Sequence, residues 1–338
     1  MGWINKLIDR IAGVAPTDLT LVPDLPDSGT GIAGKPIDPD KVYVEIYLES
    51  LRLAKARRFA TTFDGVVYAY ARTARLGSPP SEHAAVSRPQ NLTSVGEADL
   101  DRVIVVQKRL LAVVPWRGDP LGLELGLFSV KTSNLLTPLI GYVTRISELA
   151  GIGAVAKVDL FMPLISEGLD MIAGQTQDTE LELAIDTDIT LGKSMLCALI
   201  ARPKAEIDST KLSLDPKDRR LLYDGTPLAA AYCVFSVRAR SDNPEWGRIA
   251  KLEDAFSDVV TQIDDGKIRE AEEALAGFRR KVATSPDLIS ADKAKLRGLA
   301  EEMLKDAFPG GVVSRRGTAA TKIRRLEDLD LYGAKVGT

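Results

Sequence analysis

From Lys41 onward the chain alternates apolar and polar residues with a period of two. Val42, Val44, Ile46 and Leu48 fall on one side, and Tyr43, Glu45, Tyr47 and Glu49 on the other. Successive side chains of a strand point to opposite faces, so this pattern predicts a half-buried strand. Residues 59–73 continue in Val, Tyr and Phe, with Asp64-Gly65 as a turn or bulge signal. Residues 77–100 are rich in Pro, Ser and Asn and read as a long loop. Strand patterning resumes over 103–114 and 121–130, where Leu121, Leu123, Leu125 and Leu127 alternate and Pro115 and Gly118 mark the connection. Residues 181–185, 189–201 and 232–240 add further strands, and Asp224-Gly225 is a second hairpin signal. About seven strands without regular intervening helices predict antiparallel pairing in a sandwich or barrel.

Three stretches switch to a helical period. In residues 2–12, Trp3, Ile4, Leu7, Ile8 and Ile11 share one face opposite Asn5, Lys6, Asp9 and Arg10. Residues 133–174 are apolar and Gly-rich and read as a helical hairpin inserted into the β-rich region. Its charges at Lys157 and Asp159 would cost several kcal/mol at membrane depth, so covering a sheet is the better use for it. Beyond Asn243-Pro244, Ile249, Leu252, Phe256 and Val260 recur at helical spacing. Breaks at Asp264-Asp265-Gly266 and Ser285-Pro286-Asp287 divide this region into three helices. The expected class is therefore α+β: an antiparallel β-sandwich-like domain with an inserted helical hairpin, followed by a small three-helix bundle. The expected organisation is an amphipathic helix over 1–13, a Pro/Gly-rich linker over 14–40, the β-rich domain over 41–243, the bundle over 244–308 and a flexible basic tail over 309–338.

Composition narrows the function classes. The chain has 338 residues, 45% of them hydrophobic, enough to bury a sizeable core. Its net charge of −3 carries no bias toward nucleic acid, and no specific nucleic-acid binding is expected. Residues 309–338 hold six basic and three acidic residues, so a tail of +3 follows a body of −6. Cys197 and Cys233 lie in apolar runs and read as buried thiols of a reducing compartment. The N-terminus lacks the continuous apolar stretch of a signal peptide, and an intracellular, cytoplasmic location is expected, with a peripheral membrane role as the variant.

The chemical motifs fail on context. Gly29-Thr30-Gly31-Ile32-Ala33-Gly34 spells a dinucleotide fingerprint, but proline-rich chain flanks it where a strand and a helix are required. Gly192-Lys193-Ser194 lacks the glycine-rich cradle of a phosphate loop. His83 is the chain's one imidazole and sits in the expected loop, leaving no base for a serine nucleophile. Ser290-Ala291-Asp292-Lys293 matches an acylating S-x-x-K, yet Ser290 stands where a helix N-cap belongs. Asp186 and Asp188, like Asp38 and Asp40, read as turn residues rather than calcium ligands. No catalytic, cofactor-binding or metal residue is assigned.

What is left is a non-enzymatic interaction or adaptor protein that meets protein partners through its tail or its β-rich body. Candidate contact residues are Trp3, Ile4, Leu7 and Ile8 in the first helix, and Ile323, Leu326, Leu329, Leu331 and Tyr332 in the tail, a short motif that orders on binding. The dibasic pairs Arg315-Arg316 and Arg324-Arg325 are candidate protease sites. The alternative is a membrane-active or lipid-binding effector using the first helix and the apolar 149–165 segment, controlled by proteolysis of the tail.

Overall fold

The computed structural model describes residues 18–27, 29–54, 57–58, 61–74, 81–87, 104–131, 179–309 and 323–333. Among the described residues it is mixed α+β, with three antiparallel sheets and three α-helices. The first sheet runs in the order β1 (Thr20–Val22), β9 (Met195–Ile200), β13 (Tyr232–Arg240), β2 (Tyr43–Arg52), β6 (Ile104–Pro115). The second runs β3 (Arg57–Arg58), β4 (Thr61–Thr73), β7 (Leu121–Lys131), β8 (Thr179–Ile189), with β5 (Ser81–Ser87) also paired to β4. A small third sheet is built from β10 (Leu212–Leu214), β11 (Leu221–Tyr223) and β12 (Thr226–Pro227).

One apolar cluster draws on both large sheets. Val44, Ile46 and Leu48 of β2 share it with Leu123, Leu125 and Leu127 of β7, Leu199 of β9 and Phe235 of β13. Asp64-Gly65, expected as a turn or bulge, lies inside an unbroken β4. Its glycine answers a close approach instead: a Cβ on Gly65 would lie 2.6 Å from Leu51 Cδ1. Asp224-Gly225 is the two-residue hairpin it promised, with φ of 52° and 76° joining β11 to β12.

Several expectations are corrected. The segment 77–100 is not all loop, because β5 pairs with β4 from Val67↔Ser87 to Thr73↔Ser81 and includes His83. Asp186 and Asp188 lie within β8 opposite Glu124 and Gly122, not in a turn. β2 is buried on both faces rather than one. Glu49 is the extra residue of a bulge against β13, which brings Leu51 onto the inner face with Leu48. Residues 18–40, expected as linker, line the first sheet: β1 pairs with β9, and Leu25, Ile32 and Ile37 are buried. Enough apolar side chains are interleaved with the prolines and glycines to offset the ordering cost. The helical hairpin over 133–174 and the helix over 1–13 lie outside the described residues.

The outer face of the first sheet is covered unevenly. Leu196, Ala198 and Ile200 of β9 and Val234 of β13 pack under Leu212, Leu214 and Leu221 of the small sheet. The N-terminal end of β2 meets the helical unit, where Tyr43 and Val113 touch Ile289. That unit comprises α1 (Ala250–Asp264), α2 (Ile268–Thr284) and α3 (Ser290–Ala307). Buried positions recur at helical spacing, as at Leu252, Phe256 and Val259 in α1 and Ala271, Leu275, Phe278 and Val282 in α2. Phe256 and Phe278 tilt against one another with ring centroids 5.5 Å apart. Among the described residues no helix is long and apolar enough to cross a membrane.

Candidate functional site

The expected flexible tail is not free at residues 323–333, which fold back onto the helical unit. A 3-10 turn at Leu326–Leu329 presents Leu326 and Leu329, with Leu331 beyond it, and all three are buried among Trp246, Leu252, Phe256 and Met303. Ile323 and Tyr332 pack partly buried at the edges of this cluster. Several of the segment's polar groups are bonded at the same time. Asp328 accepts from the Arg324 and Arg325 amides at 2.9 and 2.8 Å. The Leu326 amide donates to Glu253 at 2.8 Å, and Arg324 pairs with Asp264 of α1. At the Trp246–Arg248 turn the two backbones come so close that a Cβ on Gly247 would sit 2.6 Å from Glu327 Cβ. A left-handed Asp330 (φ 49°) turns the chain after Leu329.

Tyr332 then reaches a joint between three parts of the fold. Asp292, buried near the start of α3, accepts from the Tyr332 hydroxyl at 2.5 Å and from the Tyr43 hydroxyl of β2 at 2.6 Å, both on the same oxygen, Oδ2. The Asn243 amide donates to Tyr332 Oη at 2.9 Å, and the Ile289 amide to Tyr43 Oη at 3.3 Å. Burial, and next the bond to Asp292, pushes both phenols well above their ordinary pKa.

A second polar joint lies beside the first. The Arg117 guanidinium pairs with Asp40 and donates to the carbonyls of Pro286 and Leu288 at 3.2 and 3.0 Å. The Ser290 hydroxyl and amide both donate to Asp40. Ser290 is thus the first residue of α3 rather than its cap, and a carboxylate from the sheet side meets the helix N-terminus, where negative charge is favoured. Burial works against the charged Asp40, but Ser290 and Arg117 outweigh it and hold the pKa below the ordinary carboxylate value.

Between the small sheet and the helices the outer face of β2 carries a strip of charge. Glu49, fully buried, accepts from Ser236 and from Arg238 at Oε1 and faces Arg219 at 3.9 Å with Oε2. Arg238 also lies 4.2 Å above the Tyr47 ring. Glu45 pairs with Arg240 at 3.4 Å, and Arg109 with Glu245. The backbone gives Arg219 a left-handed φ of 58°, while its carbonyl takes the Ser50 hydroxyl at 2.6 Å. Each of these carboxylates faces at least one guanidinium group.

The motifs that failed on sequence context have structural roles. Asp27 fills the glycine fingerprint's own amide cradle: its carboxylate accepts from the amides of Gly29, Thr30, Ile32 and Ala33 and from the Thr30 hydroxyl. Burial opposes the charge, yet the Thr30 hydroxyl and the amides pull its pKa down to about 2. Gly192-Lys193-Ser194 anchors the N-terminal segment, with Lys193 on Asp24 at 2.7 Å and Ser194 exchanging backbone bonds with Lys35 and Gly34. A groove of about 630 Å³ beside it is lined by Leu21, Asp188, Thr190 and Met195. Cys197 and Cys233 are free and buried, and desolvation pushes the Cys197 thiol up to about 12. Among the described residues no group of three or more His, Cys, Asp or Glu is arranged to hold a metal ion.

Ile323, Leu326, Leu329, Leu331 and Tyr332, the tail residues predicted to meet a partner, are thus brought together on the helical unit. Arg324 is tied down through Asp264, and Arg325 pairs with Glu327 at 3.5 Å. Trp3, Ile4, Leu7, Ile8, Arg315 and Arg316 lie outside the described residues. Sequence reasoning missed Tyr43, Asp292, Asp40 and Arg117, whose roles depend on contacts between residues some 170 to 250 positions apart. Comparison with known proteins gives no match: no family model, no curated protein and no solved structure is similar to this chain.

Proposed function

We propose that this is a non-enzymatic interaction protein: a sandwich-like β body carrying a three-helix unit that holds a short leucine- and tyrosine-bearing segment. The observation that carries this reading is the seating of 323–333, with Leu326, Leu329 and Leu331 buried in the helical unit. The partner it fits is a protein segment with the same chemistry: a basic residue for Asp264, leucines spaced three and two apart, and an aromatic hydroxyl for Asp292. The chain's own segment is the resident ligand of that groove.

The test uses the full chain with its own segment ejected by Leu326→Asp and Leu329→Asp, titrated with a fluorescent peptide of residues 323–333. Three leucines at about 1.5–3 kcal/mol each give roughly 5–9 kcal/mol before ordering costs. Saturable binding with Kd between about 1 mM and 1 μM is expected. The unmodified chain should bind far less, because its tethered segment competes at an effective concentration of the order of millimolar. A folded double variant that binds no peptide would overturn the reading.

A further inference from the structure

Asp292 Oδ2 is shared. One donor comes from the sheet (Tyr43) and one from the docked segment (Tyr332), while Asp292 itself belongs to α3. A buried carboxylate needs its lone pairs satisfied, and losing either tyrosine leaves Asp292 short of a partner and opens it to water, which competes with the donor that stays. The two contacts therefore support each other. The surroundings transmit the same link. The Asn243 amide, just beyond β13, is bonded to Tyr332, and the Ile289 amide, at the entry to α3, is bonded to Tyr43. Asp40 and Arg117 hold the 286–290 stretch from the sheet side.

We propose that Asp292 is a latch that couples occupancy of the segment groove to the seating of the helical unit on the β body. Emptying the groove removes Tyr332, weakens the Tyr43–Asp292 bond and loosens the seam at 285–293. Loosening the seam in turn lowers the hold on 323–333. A protein that takes the place of 323–333 without supplying an aromatic hydroxyl would thus change the joint between helices and sheet as well as occupy a groove. This regulatory step builds on the reading of 323–333 as a displaceable ligand, but the coupling can be measured without any partner.

Linkage requires the coupling to be reciprocal, and hydrogen exchange of the full-length chain reads both directions. Tyr332→Phe and Leu331→Asp are made in the segment, and Tyr43→Phe in the sheet. Exchange is then followed in 323–333, in 285–293 and, as references, in α2 and β7. The segment variants should accelerate exchange over 285–293, and Tyr43→Phe should accelerate exchange over 323–333. Each acceleration should be about fivefold or more, the lower end of site-to-site coupling. Should Leu331→Asp fail to fold, the pair of Tyr→Phe variants, which removes only hydroxyls, still decides. Acceleration confined to the mutated side would overturn the latch, and so would equal acceleration in α2 and β7, which signals general loosening. Peptide binding without reciprocal exchange would leave the groove reading intact and the latch refuted; reciprocal exchange without peptide binding would do the reverse.

Discussion

A single methyl group at residue 247 tests whether 323–333 is seated as described. Gly247 lies in the 3-10 turn before α1, and its φ is not in the left-handed region, so alanine meets no backbone penalty there. On the unfolded-chain argument alone, Gly247→Ala would stabilise by about 0.4–1 kcal/mol. The docked segment reverses the sign. The new Cβ would lie 2.6 Å from Glu327 Cβ, 3.1 Å from its Cα and 3.3 Å from its amide nitrogen. Two of these three atoms are backbone, so a change of rotamer cannot relieve the clash, and forced overpacking of this kind costs about 1–3 kcal/mol. The net cost falls on docking, at roughly 1–2 kcal/mol, or about 5- to 30-fold in the undocked population. Trypsin reads that population. Arg324 is paired with Asp264 and its amide with Asp328, so a cut after Arg324 or Arg325 requires undocking, and its rate follows the open fraction when opening is fast. Mass spectrometry of the fragments should show that cut 5- to 30-fold faster in Gly247→Ala, while thermal unfolding of the β body stays within a few degrees. An unchanged rate at Arg324-Arg325 would refute the seating.

Two further outcomes follow from the polar sites. Asp27 has a folded pKa of about 2 against an ordinary 3.8, so its contribution is complete above about pH 4 and fades as pH falls toward 2; Asp27→Asn should lower the melting temperature at pH 6 and narrow its difference from the parent near pH 2, and a gap independent of pH would contradict the cradle. Removing the carboxylate by Glu49→Ala takes a fully buried partner from Arg238 and Arg219, whose side chains keep 29% and 15% exposure, and should cost about 1–3 kcal/mol in denaturant unfolding, whereas a smaller loss would mean that water already satisfies both guanidinium groups.

Legibility tracked the range of the interactions. The alternation in 42–49 and in Leu121–Leu127 located β2 and β7, and the helical spacing from Leu252 to Val260 located α1, because period and burial are local properties. The strand β5 was hidden because the surrounding stretch reads as loop and only its pairing with β4 defines it. The segment 18–40 resembles a linker for a related reason. Proline and glycine density signals a linker, but Leu25, Ile32 and Ile37 are spaced irregularly and carry no period to detect. Glu45 and Glu49 looked like the solvent side of a half-buried strand. Their burial depends on arginines of β13 and of the loop before β11, which no pattern within β2 announces.

The tail poses a sharper version of the problem. Its motif was visible, with leucines at 326, 329 and 331 among charges and a terminal tyrosine, and those are the residues that become buried. What the motif cannot encode is whether its receptor lies in the same chain. Under the proposed reading a partner segment would fill the same groove, and the difference lies in closure. Thirteen residues, 310–322, separate the described end of the helical unit from Ile323. For a flexible connection, each doubling of length adds only about 0.6 kcal/mol to the cost of bringing two ends together. Occupation by the chain's own segment is therefore favoured over any outside segment below an effective concentration of the order of millimolar. An outside partner of equal affinity cannot win by affinity alone. It must offer contacts the resident lacks, be concentrated locally, or meet a chain whose segment has been weakened. The residues that set that balance are Arg324, paired with Asp264, and Tyr332, bonded to Asp292, and both can be removed without touching the leucines.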